Sequence, residues 1–202
     1  IGMGLALGAA LAIKWSALYF LALFIAIAFA LTYRASKREL ISTIATAPLA
    51  LLVYLISWSG WFLSSRGWDR DSNSNPVFAL WNYHREIYDF HSNLDAKHPY
   101  RSDPLSWIVM GRPTSFFYES PEGCGADQCS QEILALGNPF IWWFGTIALF
   151  ALFGYLISRR DRVSAMILAT FAAGYLPWFL FPDRTKYTFY EIKLQPIKNL
   201  AI

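Results

Sequence analysis

Four long apolar runs, residues 15–32, 40–63, 139–157 and 163–182, alternate with polar segments along this 202-residue chain. Each run is about long enough for a helix to cross the ~30 Å hydrocarbon core of a bilayer. The first is preceded by twelve small apolar residues, GMGLALGAALAI, and by Lys14-Trp15-Ser16. Twelve residues are too few to cross alone, and their small side chains suit close helix packing. The pattern predicts an all-α polytopic membrane protein with four or five transmembrane helices and one large loop over 64–138. A partial span over 187–202 is interrupted by Glu191, Lys193, Gln195, Pro196 and Lys198. Such charges are expensive in lipid, so this stretch either faces a polar cavity or is not a span. Pro48 interrupts the second run and requires neighbours that accommodate a kink. Within the loop, Trp81, His84, Ile87, Tyr88, His91 and Leu94 recur at helical spacing, which predicts an amphipathic surface helix over 77–96, ended by His98-Pro99. Extended or hairpin structure is expected around 106–118. The chain is read as one membrane domain and as the C-terminal piece of a longer protein.

Composition agrees with the pattern. Hydrophobic residues make up 55% of the chain and charged residues 15%, with a mean hydropathy of +0.32. An ordinary soluble globule, a nucleic-acid module and a disordered chain are excluded, and a net charge of +3 gives no electrostatic footprint for nucleic acid. The basic residues set an orientation. Arg34, Lys37 and Arg38 fall in the link after the first run, and Arg159, Arg160 and Arg162 in the link after the third. Short basic loops stay in the cytoplasm, which places 64–138 outside a plasma membrane. Trp58, Trp61, Trp142, Trp143 and Trp178 then fall at the outer ends of the spans, where indoles prefer the headgroup layer. The cysteines Cys124 and Cys129 lie in the outer loop. They read as a disulfide suited to an oxidising compartment, or else as two free thiols, and a zinc site lacks a second ligand pair.

Few residues advertise chemistry. His84 and His91 sit seven apart with Tyr88 between them. They mark either a metal or acid–base site or an interfacial helix, and the second reading is favoured because metal sites need three or four convergent ligands. HExxH, GxSxG, P-loop and GxGxxG patterns do not occur. Lys14 and Arg184 border apolar runs on the outer side. They either snorkel to headgroups or hold the phosphate of a lipid-linked substrate, where fixed positive charge stabilises a leaving group.

The phrases GLALGAALAIKWSALY (4–19), YHREIYDFHSNLDAKHPYRSDPLSWIVMGRPTSFFYE (83–119), CGADQCSQEILALGNPFIWW (124–143) and LPWFLFPDRTKYTFY (176–190) together resemble the bacterial protein O-mannosyltransferase family, in its C-terminal half. The resemblance implies a C-type glycosyltransferase fold with an extracytoplasmic active site. The implied reaction transfers mannose, with inversion, from a polyprenyl-phosphate carrier to Ser or Thr hydroxyls of secreted proteins. It implies no metal, nucleotide sugar or other cofactor. It places the acidic catalytic pair in an upstream outer loop, so no catalytic residue is expected here and the fragment alone is expected to be inactive. Lys14, Arg112, Arg184 and Lys186 are the candidate phosphate cations. His91, His98, Tyr100 and Tyr190 are candidate substrate-binding residues; His91 and His98, with Tyr100 and Trp107, match the family's outer-loop pattern and either line the acceptor or donor groove or brace the loop on the membrane. The KLQPIKN tail departs from the family pattern. The competing readings are a related lipid-phosphate-sugar glycosyltransferase acting on a glycan or lipid, and a non-enzymatic transport or assembly subunit.

Overall fold

The computed structural model describes residues 1–202, which pack as two compact units, 1–93 and 94–202. The first unit is entirely helical. α1 (Gly2–Ile13) ends where Lys14 turns extended, and α2 (Ala17–Thr32) follows after a short turn. α3 (Lys37–Ile44) starts on a capping box in which the Ser36 hydroxyl accepts from the Glu39 N–H while the Glu39 carboxylate reaches back to the Ser36 N–H. α4 (Thr46–Ser57) continues it after a break at Ala45. Pro48 explains the break, since it has no N–H to offer the carbonyl of Ile44. Together α3 and α4 form an apolar stretch of 21 residues, Lys37–Ser57, long enough to cross a membrane. α2 is apolar throughout but has 16 residues, about 24 Å at ~1.5 Å per residue.

Gly4 and Gly8 are the buried residues of α1, and they bring it against α4. A Cβ on Gly8 would lie 2.6 Å from the Ala50 carbonyl oxygen and 2.7 Å from Val53 Cβ. Only hydrogen fits there, as in other small-residue helix interfaces. Gly8→Leu is expected to force the two helices apart at a cost of roughly 1–3 kcal/mol. A lowered unfolding midpoint of the purified protein in detergent checks this, and an unchanged midpoint would refute the close packing.

α5 (Ser59–Leu63) and α6 (Pro76–Ser92) complete the unit. Asn75 caps α6, its side-chain oxygen accepting from the Val77 N–H at 2.9 Å, and Pro76 takes the first helical position. The helix stops before the expected 96. Asn93 donates both its amide N–H, at 3.1 Å, and its side-chain NH₂, at 2.8 Å, to the Asp89 carbonyl, closing the last turn well before His98-Pro99. His84 is locked into an aromatic cluster. Its Nδ1–H donates to the Leu80 carbonyl at 2.7 Å, so Nε2 accepts the Tyr54 hydroxyl at 2.6 Å. Tyr54 in turn accepts from Trp15 Nε1–H at 2.9 Å, and Trp15 stacks on the imidazole. Both ring nitrogens of His84 are thereby committed to bracing α6.

The second unit begins with α7 (Pro104–Trp107), a single turn capped by Asp103. β1 (Thr114–Glu119) and β2 (Gln131–Ala135) pair antiparallel, with an irregularity between Ser115 and Phe117. β1 occupies the C-terminal part of the expected region 106–118, whose first residues belong to the helical turn of α7, and β2 lies beyond it. Cys124 and Cys129 are joined by a disulfide in its tip loop. α8 (Pro139–Arg159) and α9 (Arg162–Tyr175) run where the third and fourth apolar runs predict. α9 tightens into a 3-10 helix over Leu176–Leu180, because Pro177 cannot sustain the α ladder. α8 and the stretch Arg162–Leu180 are also long and apolar enough to cross a membrane, making three such helices in the protein.

The expected span over 187–202 is absent as a continuous helix. Thr188–Leu194 forms a 3-10 helix and α10 (Gln195–Asn199) one short α turn. Its charges are folded inward instead. Glu191 and Lys198, both with fully buried side chains, form an ion pair at 2.5 Å. Lys198 also donates to the Thr146 hydroxyl on α8 at 3.1 Å and lies over the Trp142 ring. Gly145 leaves room for it, since a Cβ there would sit 2.8 Å from Lys198 Cβ.

Candidate functional site

Two loop segments of the second unit, 94–112 and 181–188, are stitched together by backbone and threonine hydrogen bonds. Thr185 N–H donates to the Leu94 carbonyl at 2.9 Å, and Ser102 N–H to the Lys186 carbonyl at 2.9 Å. The Thr185 hydroxyl accepts from Ala96 N–H and donates to the Ala96 carbonyl, both at 2.7 Å. The Thr188 hydroxyl donates to the carbonyls of Gly111 and Arg112, at 2.6 and 2.9 Å. Because that proton is taken, Ser102 Oγ–H is the donor in the 3.2 Å Ser102–Thr188 contact, while Ser102 accepts from Trp107 Nε1–H at 2.8 Å. Trp107, fully buried, passes its own carbonyl to Trp142 Nε1–H at 2.7 Å, and the Tyr175 hydroxyl donates to the Pro104 carbonyl at 2.7 Å. These buried bonds hold the loop against α8 and α9.

The stitched segments border an open cleft of about 420 Å³, lined by Lys97, His98, Arg101, Ser102, Asp103, Arg112, Pro182 and Lys186. Four basic side chains face one acid, so the cleft is a positive well. Arg101 is oriented by Asp95 at 2.7 Å and by the Asp183 carbonyl at 2.9 Å. Arg112, in the left-handed region at φ 54°, donates to the Pro99 carbonyl. Lys186 is buried and donates to the carbonyls of Trp178, Phe181 and Pro182, at 3.3, 2.7 and 3.3 Å. Burial pushes its ammonium below the usual lysine range, with Asp103 working against that and Arg101 adding to it. Its three protons serve the carbonyls that close the 3-10 turn, so Lys186 supplies field rather than a free donor.

Arg184 stands beside this well. Its guanidinium lies 5.6 Å from the centre of the Trp178 ring, on which Tyr190 stacks at 4.9 Å and near which Lys193 lies at 5.0 Å. The Arg184 Nε is buried and has no acceptor in the protein. A buried cationic donor left unmatched is a place for an anion to bind.

The candidates named from sequence are therefore distributed as follows. His98 and Arg112 line the cleft, Arg184 and Tyr190 flank Trp178 next to it, and Tyr100 donates instead to Glu132 on β2, at 3.2 Å. Lys14 at the end of α1 and His91 in the last turn of α6 belong to the first unit and are exposed. Sequence reasoning missed Lys97, Arg101 and the two threonines. The alternation of hydroxyl and charge in DRTKYT was the available signal.

A family model described as the C-terminal four TMM region of protein-O-mannosyltransferase matches residues 77–190, more than half of the chain. The chain belongs to the protein O-mannosyltransferase family. It is 30% identical to the polyprenol-phosphate-mannose–protein mannosyltransferase of Mycobacterium tuberculosis (strain CDC 1551 / Oshkosh), over 100% of this chain and 45% of that protein. The Corynebacterium glutamicum protein of the same name is 31% identical over 98% of this chain and 45% of its own length. The dolichyl-phosphate-mannose–protein mannosyltransferase 1 of Saccharomyces cerevisiae is 25% identical over 48% of this chain and 13% of its own. The chain spans about half the length of the curated bacterial relatives it matches. No solved structure matches it. As a family member with membrane-spanning helices it is a multi-pass membrane protein. The family match covers the cleft residues and Arg184, and it ends at Tyr190, before Glu191 and Lys198.

Proposed function

We propose that this chain is the phosphate-facing portion of a plasma-membrane enzyme that transfers mannose from a polyprenyl-phosphate carrier to Ser or Thr hydroxyls of secreted proteins. The observation that carries the reading is the unmatched, buried Nε of Arg184 beside a cleft with four basic residues. The acceptor oxygen attacks the anomeric carbon from the face opposite the carrier, which inverts the configuration. The bond between that carbon and the phosphate oxygen breaks, and its electron pair stays on the phosphate. The acceptor's proton passes to a carboxylate supplied by residues N-terminal of those described, as general-base activation of a hydroxyl requires. The carrier phosphate goes from a monoanionic diester to a monoester carrying one further negative charge. Fixed cations that meet this developing charge bind the transition state more tightly than the ground state. Arg184 and Arg112 serve as donors to the phosphate, and Lys97, Arg101 and Lys186 provide field. His98 and Tyr190 line the groove. The donor is the lipid-linked sugar itself, with no separate cofactor, and loop 64–138 faces the extracytoplasmic side.

Membranes containing the full-length enzyme, incubated with labelled polyprenyl-phosphate mannose, are expected to place the label on Ser or Thr of protein, released by β-elimination. Label found only in glycan or lipid would overturn the assignment of the acceptor.

A further inference from the structure

Outside the long helices, the hairpin of the second unit exposes a run of large apolar side chains, and they are sorted along its length. The half nearest its base carries Phe116, Phe117, Ile133 and Leu134, all exposed, with Ile133 at 60%. Charge begins in the other half, at Glu119 and Glu132, and continues in the tip loop with Glu122 and Asp127 beside the disulfide. Across the strands Phe117 pairs with Ile133, while Tyr118 pairs with Glu132 and Glu119 with Gln131. An alternating strand buries one face and wets the other. Here polarity changes along the ribbon rather than across it, which is what a ribbon rising through an interface requires.

Both strands spring from the first turns of α8. β2 ends at Ala135 and α8 starts at Pro139. The link is rigid, because Gly137 packs on the Trp142 ring, where a Cβ would meet it at 2.5 Å, and Asn138 caps the helix. On the other side, the segment entering β1 is tied to the same turns. Trp143 Nε1–H donates to the Val109 carbonyl at 3.1 Å and the Thr146 hydroxyl to the Ile108 carbonyl at 2.7 Å. α8 is a membrane-crossing helix, so its first turn lies at a bilayer surface, where it displays Phe140 and Trp143. Leu136, 53% exposed, joins that aromatic rim to the ribbon.

We propose that the basal half of this hairpin lies in the lipid headgroup layer, with Phe117, Ile133 and Leu136 in contact with lipid and the acidic, disulfide-closed tip held in water. The occupant of this surface is the bilayer, because the ribbon's apolar end is continuous with the start of α8, whereas its acidic residues lie at the other end of the strands. The hairpin then fixes the level of loop 94–112 above the membrane, through the Tyr100–Glu132 hydrogen bond and the contact of Phe116 with Phe189.

The test is depth measurement by spin label in the intact protein, one copy per lipid nanodisc, under non-reducing conditions that keep Cys124 and Cys129 paired. Phe117→Cys, Ile133→Cys and Leu136→Cys are compared with Glu122→Cys at the tip. The three basal labels are expected to show a severalfold higher ratio of oxygen to nickel-chelate accessibility than the tip label. Equal accessibility at base and tip would overturn the proposal. So would basal protection that appears only on adding a Ser/Thr-rich peptide, which would assign the face to a polypeptide. Single-copy nanodiscs remove a second copy as the source of protection. Because three positions are read separately, failure of one variant to fold leaves the others decisive.

Discussion

Arg184→Ala in the full-length enzyme is expected to lower mannose transfer by about 10²-fold or more, in line with the loss of one preorganised donor to a developing anion. Most of the fall should appear in kcat, because the extra negative charge on the carrier phosphate exists only as the glycosidic bond breaks. The amount of protein in the membrane should stay unchanged. Arg184 contributes to the fold mainly through its place over Trp178, and such a contact is worth about 0.5–1 kcal/mol where partly exposed. Arg184→Lys should restore the charge without the planar fork and give an intermediate rate. Normal turnover in Arg184→Ala, with normal protein levels, would remove Arg184 from the site and with it the main support for the phosphate-facing reading.

The buried pair Glu191–Lys198 predicts the largest effect on stability. Replacing Glu191 alone by Ala leaves an ammonium in the apolar contact between α10 and α8, and is expected to cost about 3–5 kcal/mol. Both Glu191 oxygens lack any aligned hydrogen-bond donor, so charge attraction to Lys198 is their sole compensation. The double replacement Glu191→Leu with Lys198→Met should recover most of the loss, since two apolar groups of similar volume need no compensation at all. Chemical unfolding of the purified protein in detergent measures both. A single variant costing under about 1 kcal/mol, the range of exposed pairs, would mean that the pair is hydrated and that residues 191–202 do not pack as described.

What the sequence made legible followed from length and period. Residues 139–157 and 163–182 were readable as spans because a bilayer sets a minimum run of apolar residues, and the helical stretches found there, Pro139–Arg159 and Arg162–Leu180, differ by at most two residues at either end. α6 was readable from its 3.6-residue period, although its stop at Ser92 depends on a side-chain bond from Asn93 that no period announces. β2 was unreadable. Gln131–Ala135 is five residues with one β-branched member, and it becomes a strand only because Thr114–Glu119 lies beside it. The tail illustrates the same limit. Glu191 and Lys193 are too close in sequence to face one another on a helix, and the actual partner of Glu191 lies seven residues on, after a change from 3-10 to α geometry. Of the site, the basic residues were visible as costly charges next to apolar runs. Their grouping was not, because the bonds from Thr185 and Thr188 to the loop span from 76 to 89 residues of chain.

The hydroxyls of Thr185 and Thr188 are both spent on loop 94–112, on its backbone and on the Ser102 hydroxyl, so this seam is bonded shut within the protein itself. The positive well is therefore built before any ligand arrives, and its order is a cost met once during folding instead of at every turnover. On the proposed function, opening and closing around a lipid-borne sugar falls to other segments of the enzyme, with this half as the anvil against which they close.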